Sequence, residues 1–164
     1  MTPPEIYTIE RRGAGLLSTM AQPRGGTRLA GELTGLAGAG VTVLVSLLSA
    51  VEEGALGLSD EPMLARAAGL EFLRLATPDL EVPARLPTLA LARGLVRRLG
   101  AGQHVVLHCR AGIGRSSTLA AAVLLAEGVA PHDAWDRITR ARGLPVPDTA
   151  AQAEFIRTLD PSEP

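Results

Sequence analysis

The stretch VVLHCRAGIGRSS, residues Val105–Ser117, holds the only cysteine of the chain. It opens on a β-branched apolar run, passes through a turn with two glycines, and ends on an arginine followed by serines. A strand that stops at a tight glycine loop and feeds a helix aims a row of backbone N–H groups at one point. The helix N-terminus adds partial positive charge there, so the point binds an oxyanion such as phosphate. Gly112 and Gly114 allow the backbone conformations that such a cradle needs. Arg115, six residues after Cys109, can bring its guanidinium across the same anion through two charge-assisted hydrogen bonds.

Cys109 then lies at the floor of an electropositive bowl. That setting favours the thiolate of a group that otherwise titrates at about 8.5. A thiolate under a bound phosphate is a nucleophile aimed at phosphorus. Ser116 can hydrogen-bond the sulfur and ease its departure in a second step, and His108 can brace the loop backbone from the strand side. The loop residues Arg110, Ala111, Gly112, Ile113 and Gly114, with Arg115, form the expected phosphate-binding set.

Outward from this stretch the chain alternates strands with helices. Ile6–Ile9 and Leu16–Met20 read as strands joined by the turn RRGAG. Thr27–Ala37 has helical spacing, and Val41–Leu47 (VTVLVSL), bounded by glycine, reads as a buried strand. Pro62–Ala68 suggests a short helix and Leu70–Leu75 another strand. Thr77–Pro87 carries three prolines and is expected to be loop. Thr88–Leu99 is an amphipathic helix ending at Gly100. His104–His108 is a strand, and helices follow at about 115–127, 131–141 and 149–159. This order predicts an α/β fold with a central, mostly parallel sheet flanked by helices. With 164 residues and no long linker, a single domain over 1–164 is expected, its core at about 15–160.

Composition narrows the function classes. The net charge of −1 supplies no basic field for nucleic acid or an anionic membrane, and 2% aromatics leave few stacking platforms. One cysteine cannot form an internal disulfide. With three histidines and one cysteine no metal-ligand cluster is expected, and the chemistry needs neither metal nor cofactor. The start lacks a basic segment followed by an apolar one, and no apolar run approaches a membrane span. The expectation is a cytoplasmic monomer. Lysine and asparagine are missing altogether, which reflects a GC-rich genome and carries no function.

The segment HCRAGIGRS, His108–Ser116, resembles the His-Cys-five residues-Arg-Ser/Thr signature of the cysteine-dependent protein tyrosine phosphatases. The order GVTVLVSLL, an acidic pair, GLEFLRLATPDLEVP, a helix and then the signature is similar to that of the compact dual-specificity-type enzymes. The resemblance implies a cysteinyl-phosphate intermediate and a general acid on an upstream loop. Asp79, thirty residues before Cys109 in a proline-rich loop, fits that position. Such a group must protonate the departing oxygen and then serve as base toward water. Glu81 is a weaker substitute, and Asp60 and Glu71 fall in the wrong segments. Some relatives position that water with a glutamine. Gln152 stands in a comparable place, although Thr149-x-x-Gln152 is also a capping box. Glu52 and Glu53 could brace Arg115 by an ion pair, as acidic residues near this strand do in some relatives, or stand solvated at a helix start. Arg110 is read as facing solvent, and His132, Asp133 and Trp135 as capping and core residues.

The expected substrate is a phosphorylated protein or peptide, phosphotyrosine first and phosphoserine or phosphothreonine also. Phosphoinositide-directed relatives often carry lysines inside the loop, where this chain has only Arg110 and an inner Ile113. Phosphoinositide or other small-molecule hydrolysis, and a catalytically inactive phosphate-binding module, are the alternatives. A rhodanese-like sulfurtransferase leaves the His-Cys and Arg-Ser frame unexplained. A thiol-dependent arsenate reductase needs further cysteines.

Overall fold

The computed structural model describes residues 3–164. Five strands form one sheet: β1 (Tyr7–Thr8), β2 (Leu16–Met20), β3 (Val43–Ser46), β4 (Glu71–Arg74) and β5 (His104–His108), in the order β1-β2-β5-β3-β4. Only β1 pairs antiparallel; β2, β5, β3 and β4 run parallel. Seven helices accompany them: α1 (Leu29–Gly38), α2 (Ala50–Ala55), α3 (Glu61–Ala67), α4 (Arg85–Gly100), α5 (Arg115–Ala126), α6 (Pro131–Arg142) and α7 (Ala150–Thr158). The α/β class with a mostly parallel sheet holds.

Alternation along the strands separates two cores. Leu17, Val43, Val45, Val105 and Leu107 pack with the inward residues of α4 to α7. Met20, Leu44, Phe72 and Val106 pack on the other face with Leu29, Leu33 and Leu36 of α1 and Ala65 of α3. A parallel sheet covered on both faces explains why its strands read as continuous apolar runs. Helix α5 is buried from Arg115 through Leu125, and its run of three alanines lets its neighbours approach closely. A helix buried all round has no polar face to read, so its direction and its N-terminus matter most.

The register positions the site. Met20, Ser46 and His108 are aligned across the sheet, and Arg74 stands beside Ser46. Just past this row all four parallel strands end, and their loops leave at the carboxyl edge, the place where open α/β sheets bind ligands. Leu47 N–H donates to the His108 carbonyl at 2.9 Å and Thr77 N–H to the Leu47 carbonyl at 3.0 Å, which ties three of these loops together.

Several boundaries differ from the sequence reading. Helix α4 starts at Arg85, so the proline-rich loop is shorter than Thr77–Pro87. Pro87 is the third residue of the helix, where no intrahelical N–H is required. Strand β1 is only two residues long. Helix α2 was not anticipated, although Ser49-x-x-Glu52 is a capping box: Ser49 Oγ accepts from Glu52 N–H at 3.3 Å and Glu52 Oε1 from Ser49 N–H at 3.1 Å. His132 and Asp133 do not cap α6. His132 is exposed and pairs with Asp136 at 3.3 Å, while Asp133 pairs with Arg137 at 2.8 Å. Trp135 packs against the core as expected.

Candidate active site

Residues Cys109–Gly114 connect β5 to α5 and form a loop held from several sides. Gly112 has φ +71°, and a Cβ there would meet the Met20 carbonyl carbon and oxygen at 2.7 Å. A Cβ on Gly114 would stand 2.5 Å from Asp148 Oδ2 and 3.0 Å from the Gln152 amide. Gly112 is therefore required both by close approach to backbone and by its backbone angle, whereas a side chain at Gly114 would have to displace Asp148. Gln22 N–H donates to the Arg110 carbonyl at 3.1 Å. Arg142, at the end of α6, donates to the carbonyls of Gly112 at 3.1 Å and Ala111 at 3.3 Å. Its guanidinium lies 4.3 Å from the centroid of the Tyr7 ring, which supports it from the other side. With three loop carbonyls engaged outside the loop, and the α5 N-terminus lacking a side-chain cap, the loop and helix can present N–H groups to an anion.

Cys109 is buried and free, with Sγ 3.2 Å from Ser116 Oγ. Arg115 is only 2% exposed. Glu52 holds its guanidinium by two bonds, Nη1 to Oε1 at 2.7 Å and Nη2 to Oε2 at 2.9 Å. Nη1 also donates to the Thr77 carbonyl at 2.9 Å. Burial alone would lower the Arg115 pKa, but the Glu52 hydrogen bond and the charges of Cys109, Glu52 and Asp79 outweigh it and hold the pKa above its ordinary value. Glu52 is the reciprocal case. Its bond from Arg115 dominates burial and lowers its pKa from 4.5 to about 2. The sequence offered both Glu52 and Glu53 as braces, and only Glu52 reaches Arg115. Glu53 is turned to Arg74, at 2.9 and 2.8 Å.

Asp79 reaches the same guanidinium, Oδ1 standing 3.1 Å from Arg115 Nη2 with the side chain half exposed. Its own loop supplies one further bond, from Leu80 N–H to Oδ1 at 3.0 Å. Glu71 is committed elsewhere, to Arg98 at 2.6 and 2.7 Å. Arg110 and Ala111 face outward on the loop, and Ile113 packs against the core.

Gln152 is fully buried, and its amide is bonded at both ends. Oε1 accepts from the N–H groups of Asp148 at 3.1 Å and Thr149 at 3.2 Å, and Nε2 donates to the Glu81 carbonyl at 3.3 Å. It caps α7 and ties that helix to the loop of Asp79, with one of its two amide N–H groups left uncommitted. His108 Nδ1 lies 3.2 Å from the Cys109 carbonyl, as its bracing role requires, and Nε2 lies 2.6 Å from Glu61 Oε1. His104, on the same face of β5, is bound to Ser18 Oγ at 2.9 Å, and burial holds its pKa below the ordinary value. Among the described residues no group of three or more His, Cys, Asp or Glu is arranged to hold a metal ion, and no helix is long and apolar enough to cross a membrane.

The residues that sequence reasoning missed are Glu61, Arg142 and Asp148. Arg142 gave no signal, since nothing in the sequence separates it from the other arginines.

Strand, anion loop, buried arginine and upstream carboxylate together are the architecture of a cysteine-dependent phosphatase of the dual-specificity type. A family model described as "polymorphic toxin system, DSP-PTPase phosphatase" matches residues 18–129, and the chain belongs to that family. No curated protein sequence matches the chain. Among solved structures, kinase-associated phosphatase (KAP), with its catalytic-site cysteine replaced by serine, is 19% identical with a TM-score of 0.86, covering 95% of this chain and 93% of that one. Tk-PTP in its active form is 25% identical with a TM-score of 0.75, covering 96% and 98%. PTPMT1 in complex with PI(5)P is 22% identical with a TM-score of 0.72, covering 93% and 94%.

Proposed function

We propose that this chain, as one phosphatase domain over residues 1–164, hydrolyses phosphotyrosine, and phosphoserine or phosphothreonine more slowly, in proteins or peptides. The observation that carries the reading is the meeting of three groups at one point. Cys109 opens the anion loop, Arg115 closes it, and Asp79 Oδ1 arrives from another loop within 3.1 Å of the Arg115 guanidinium.

In the first step the Cys109 thiolate attacks phosphorus. The S–P bond forms as the bond to the leaving oxygen breaks, and that oxygen takes the Asp79 proton. The loop N–H groups and Arg115 stabilise the charge on the transferring phosphoryl oxygens. In the second step water attacks the phosphocysteine and Asp79 accepts its proton. The S–P electron pair returns to sulfur, where the Ser116 hydroxyl donates a hydrogen bond.

Two features favour a phosphoprotein over a polyanionic lipid headgroup. Arg110 is the only cation within loop residues 110–114, and the facing loop exposes Asp79, Leu80 and Glu81. Those carboxylates would repel additional phosphates, whereas Leu80 can lie against an aromatic or aliphatic side chain. The reaction also needs a reduced thiol, which favours a reducing compartment such as the cytoplasm.

A panel of phosphopeptides against soluble phosphoinositides, PI(5)P among them, tests the substrate class. Higher kcat/KM on phosphotyrosyl peptides, retained in EDTA and lost in Cys109→Ser, is expected. Preference for the phosphoinositide would overturn the protein reading. Phosphate binding without turnover on either class would mark a binding module.

A further inference from the structure

Behind the anion loop, on the sheet face opposite α5, His108 and Glu61 form a pair that the phosphoryl-transfer steps do not use. Both side chains are fully buried, Glu61 reaching in from the first turn of α3. Two contacts determine where their protons lie. A carbonyl oxygen can only accept, so the 3.2 Å contact of His108 Nδ1 with the Cys109 carbonyl is a hydrogen bond only when Nδ1 carries a proton. The 2.6 Å contact between Nε2 and Glu61 Oε1 requires a second proton, carried by either the ring or the carboxyl.

The pair thus holds two protons and is neutral overall in both arrangements. That suits a site from which water is excluded, where an unbalanced charge is costly. Were the ring to hold a single proton and give it to a Glu61 carboxylate, Nδ1 would be bare against the Cys109 oxygen. Glu61 Oε2 is buried and has no hydrogen-bond partner among the described residues, so the polar role of this carboxyl is directed at His108.

We propose that Glu61 is a positioning residue for Cys109. Acting through Nε2, it fixes His108 in the form whose Nδ1 is protonated. That N–H holds the Cys109 carbonyl away from the cradle, so the loop N–H groups stay turned toward the anion and the sulfur. The catalytic consequence rests on Cys109 being the nucleophile, whereas the positioning itself can be read without turnover.

The test uses the full chain and the variants Glu61→Gln and Glu61→Leu. Imidazole nitrogen NMR, with three histidines to assign, reports which nitrogen of His108 is protonated. Alkylation by iodoacetamide at neutral pH reports the sulfur, and the single cysteine makes that signal specific. A Gln amide can donate to Nε2 and preserve the Nδ1 proton, whereas Leu offers Nε2 no hydrogen bond. The wild type and the Gln variant should both show protonated Nδ1 and alkylate within about twofold of each other. The Leu variant leaves Nε2 without a partner, so the ring loses its second anchor and alkylation should slow about tenfold, the worth of one hydrogen bond in holding the loop.

A bare Nδ1 in the wild type would overturn the proposal, as would a folded Leu variant that alkylates at the wild-type rate. If the Leu variant does not fold, the Gln variant decides: slow alkylation or a bare Nδ1 there is equally fatal. Protonated Nδ1 with Gln rescue, in a wild type that turns over no phosphate ester, would leave the positioning intact and overturn the phosphatase reading instead.

Discussion

The loop from Cys109 to Gly114 and the loop that carries Asp79 leave the same edge of the sheet, but they are held very differently. The first is pressed against Met20 and Asp148, with backbone carbonyls engaged by Gln22 and Arg142. Its closing residue, Arg115, is held by Glu52 and Thr77. The second exposes four successive residues, Pro78 to Glu81. Its ties to the rest of the molecule run chiefly through the backbone of Thr77 and Glu81 and the single contact of Asp79 with Arg115. Leu80 sits there at φ +66°, a conformation unusual for a branched side chain. The groups that must meet a charge in fixed geometry are pre-organised. Asp79, the group proposed to deliver a proton and later take one back, lies on a segment with little holding it.

Substitutions on the two loops should therefore fail in different ways. The largest effect is expected at the rigid loop. Cys109→Ser should abolish turnover yet bind phosphate, measured by calorimetry, whereas Arg115→Ala should lose both. Arg115→Ala should also lower stability in chemical denaturation by about 2–3 kcal/mol, because the partly buried Glu52 loses its partner.

Asp79→Ala should leave folding and phosphate affinity nearly unchanged. It should lower kcat on phenyl phosphate by about 10²–10⁴ and affect an ester with a good leaving group much less. Equal losses on both esters would place the acid elsewhere.

Glu52→Gln lies between these extremes and gives the comparison a pH dependence. The folded-state pKa of Glu52 is about 2 against an ordinary 4.5, so its ion pair stabilises the fold fully above pH 4.5 and loses that contribution as pH falls toward 2. At neutral pH the variant should be less stable by about 3 kcal/mol, and the gap from wild type should close across that acid window. A gap independent of pH would contradict the pairing.

The smallest effects are expected at the outer supports. Gln152→Ala removes a cap and the tie to Glu81, and should cost about 1 kcal/mol in thermal or chemical unfolding. Because its contacts serve the helix cap and the loop tie, the variant should retain most of its turnover. A large loss of kcat with unchanged stability would restore the water-positioning role.

The rigid loop was also the legible one. Its residues are contiguous, so the strand, glycine loop and helix from His108 to Ser116 could be read from the sequence, and the roles proposed for them rest on that spacing. The strands were legible because a sheet buried on both faces writes itself as apolar runs. Asp79 could be proposed through the family resemblance, which expects an acid on an upstream loop, although α4 begins three residues earlier than its amphipathic pattern suggested. Pro87, read as a loop residue, is compatible with a first helical turn. What stayed hidden depends on side chains brought together from distant segments. Glu52 and Glu53 are equivalent in sequence, and only the direction of α2 decides which one reaches Arg115 and which reaches Arg74. Arg142 and Glu61 read as ordinary helix-end charges until the fold sets them against the loop backbone.

The most direct test of the account is a rapid acid quench of the wild-type chain during turnover of a labelled aryl phosphate, followed by intact mass and peptide mapping. The account predicts one phosphoryl group trapped on the peptide containing Cys109, accumulating further in Asp79→Ala with a good leaving group, and absent in Cys109→Ser. Phosphate on another side chain, or steady turnover by Cys109→Ser with no covalent species at any time, would contradict it.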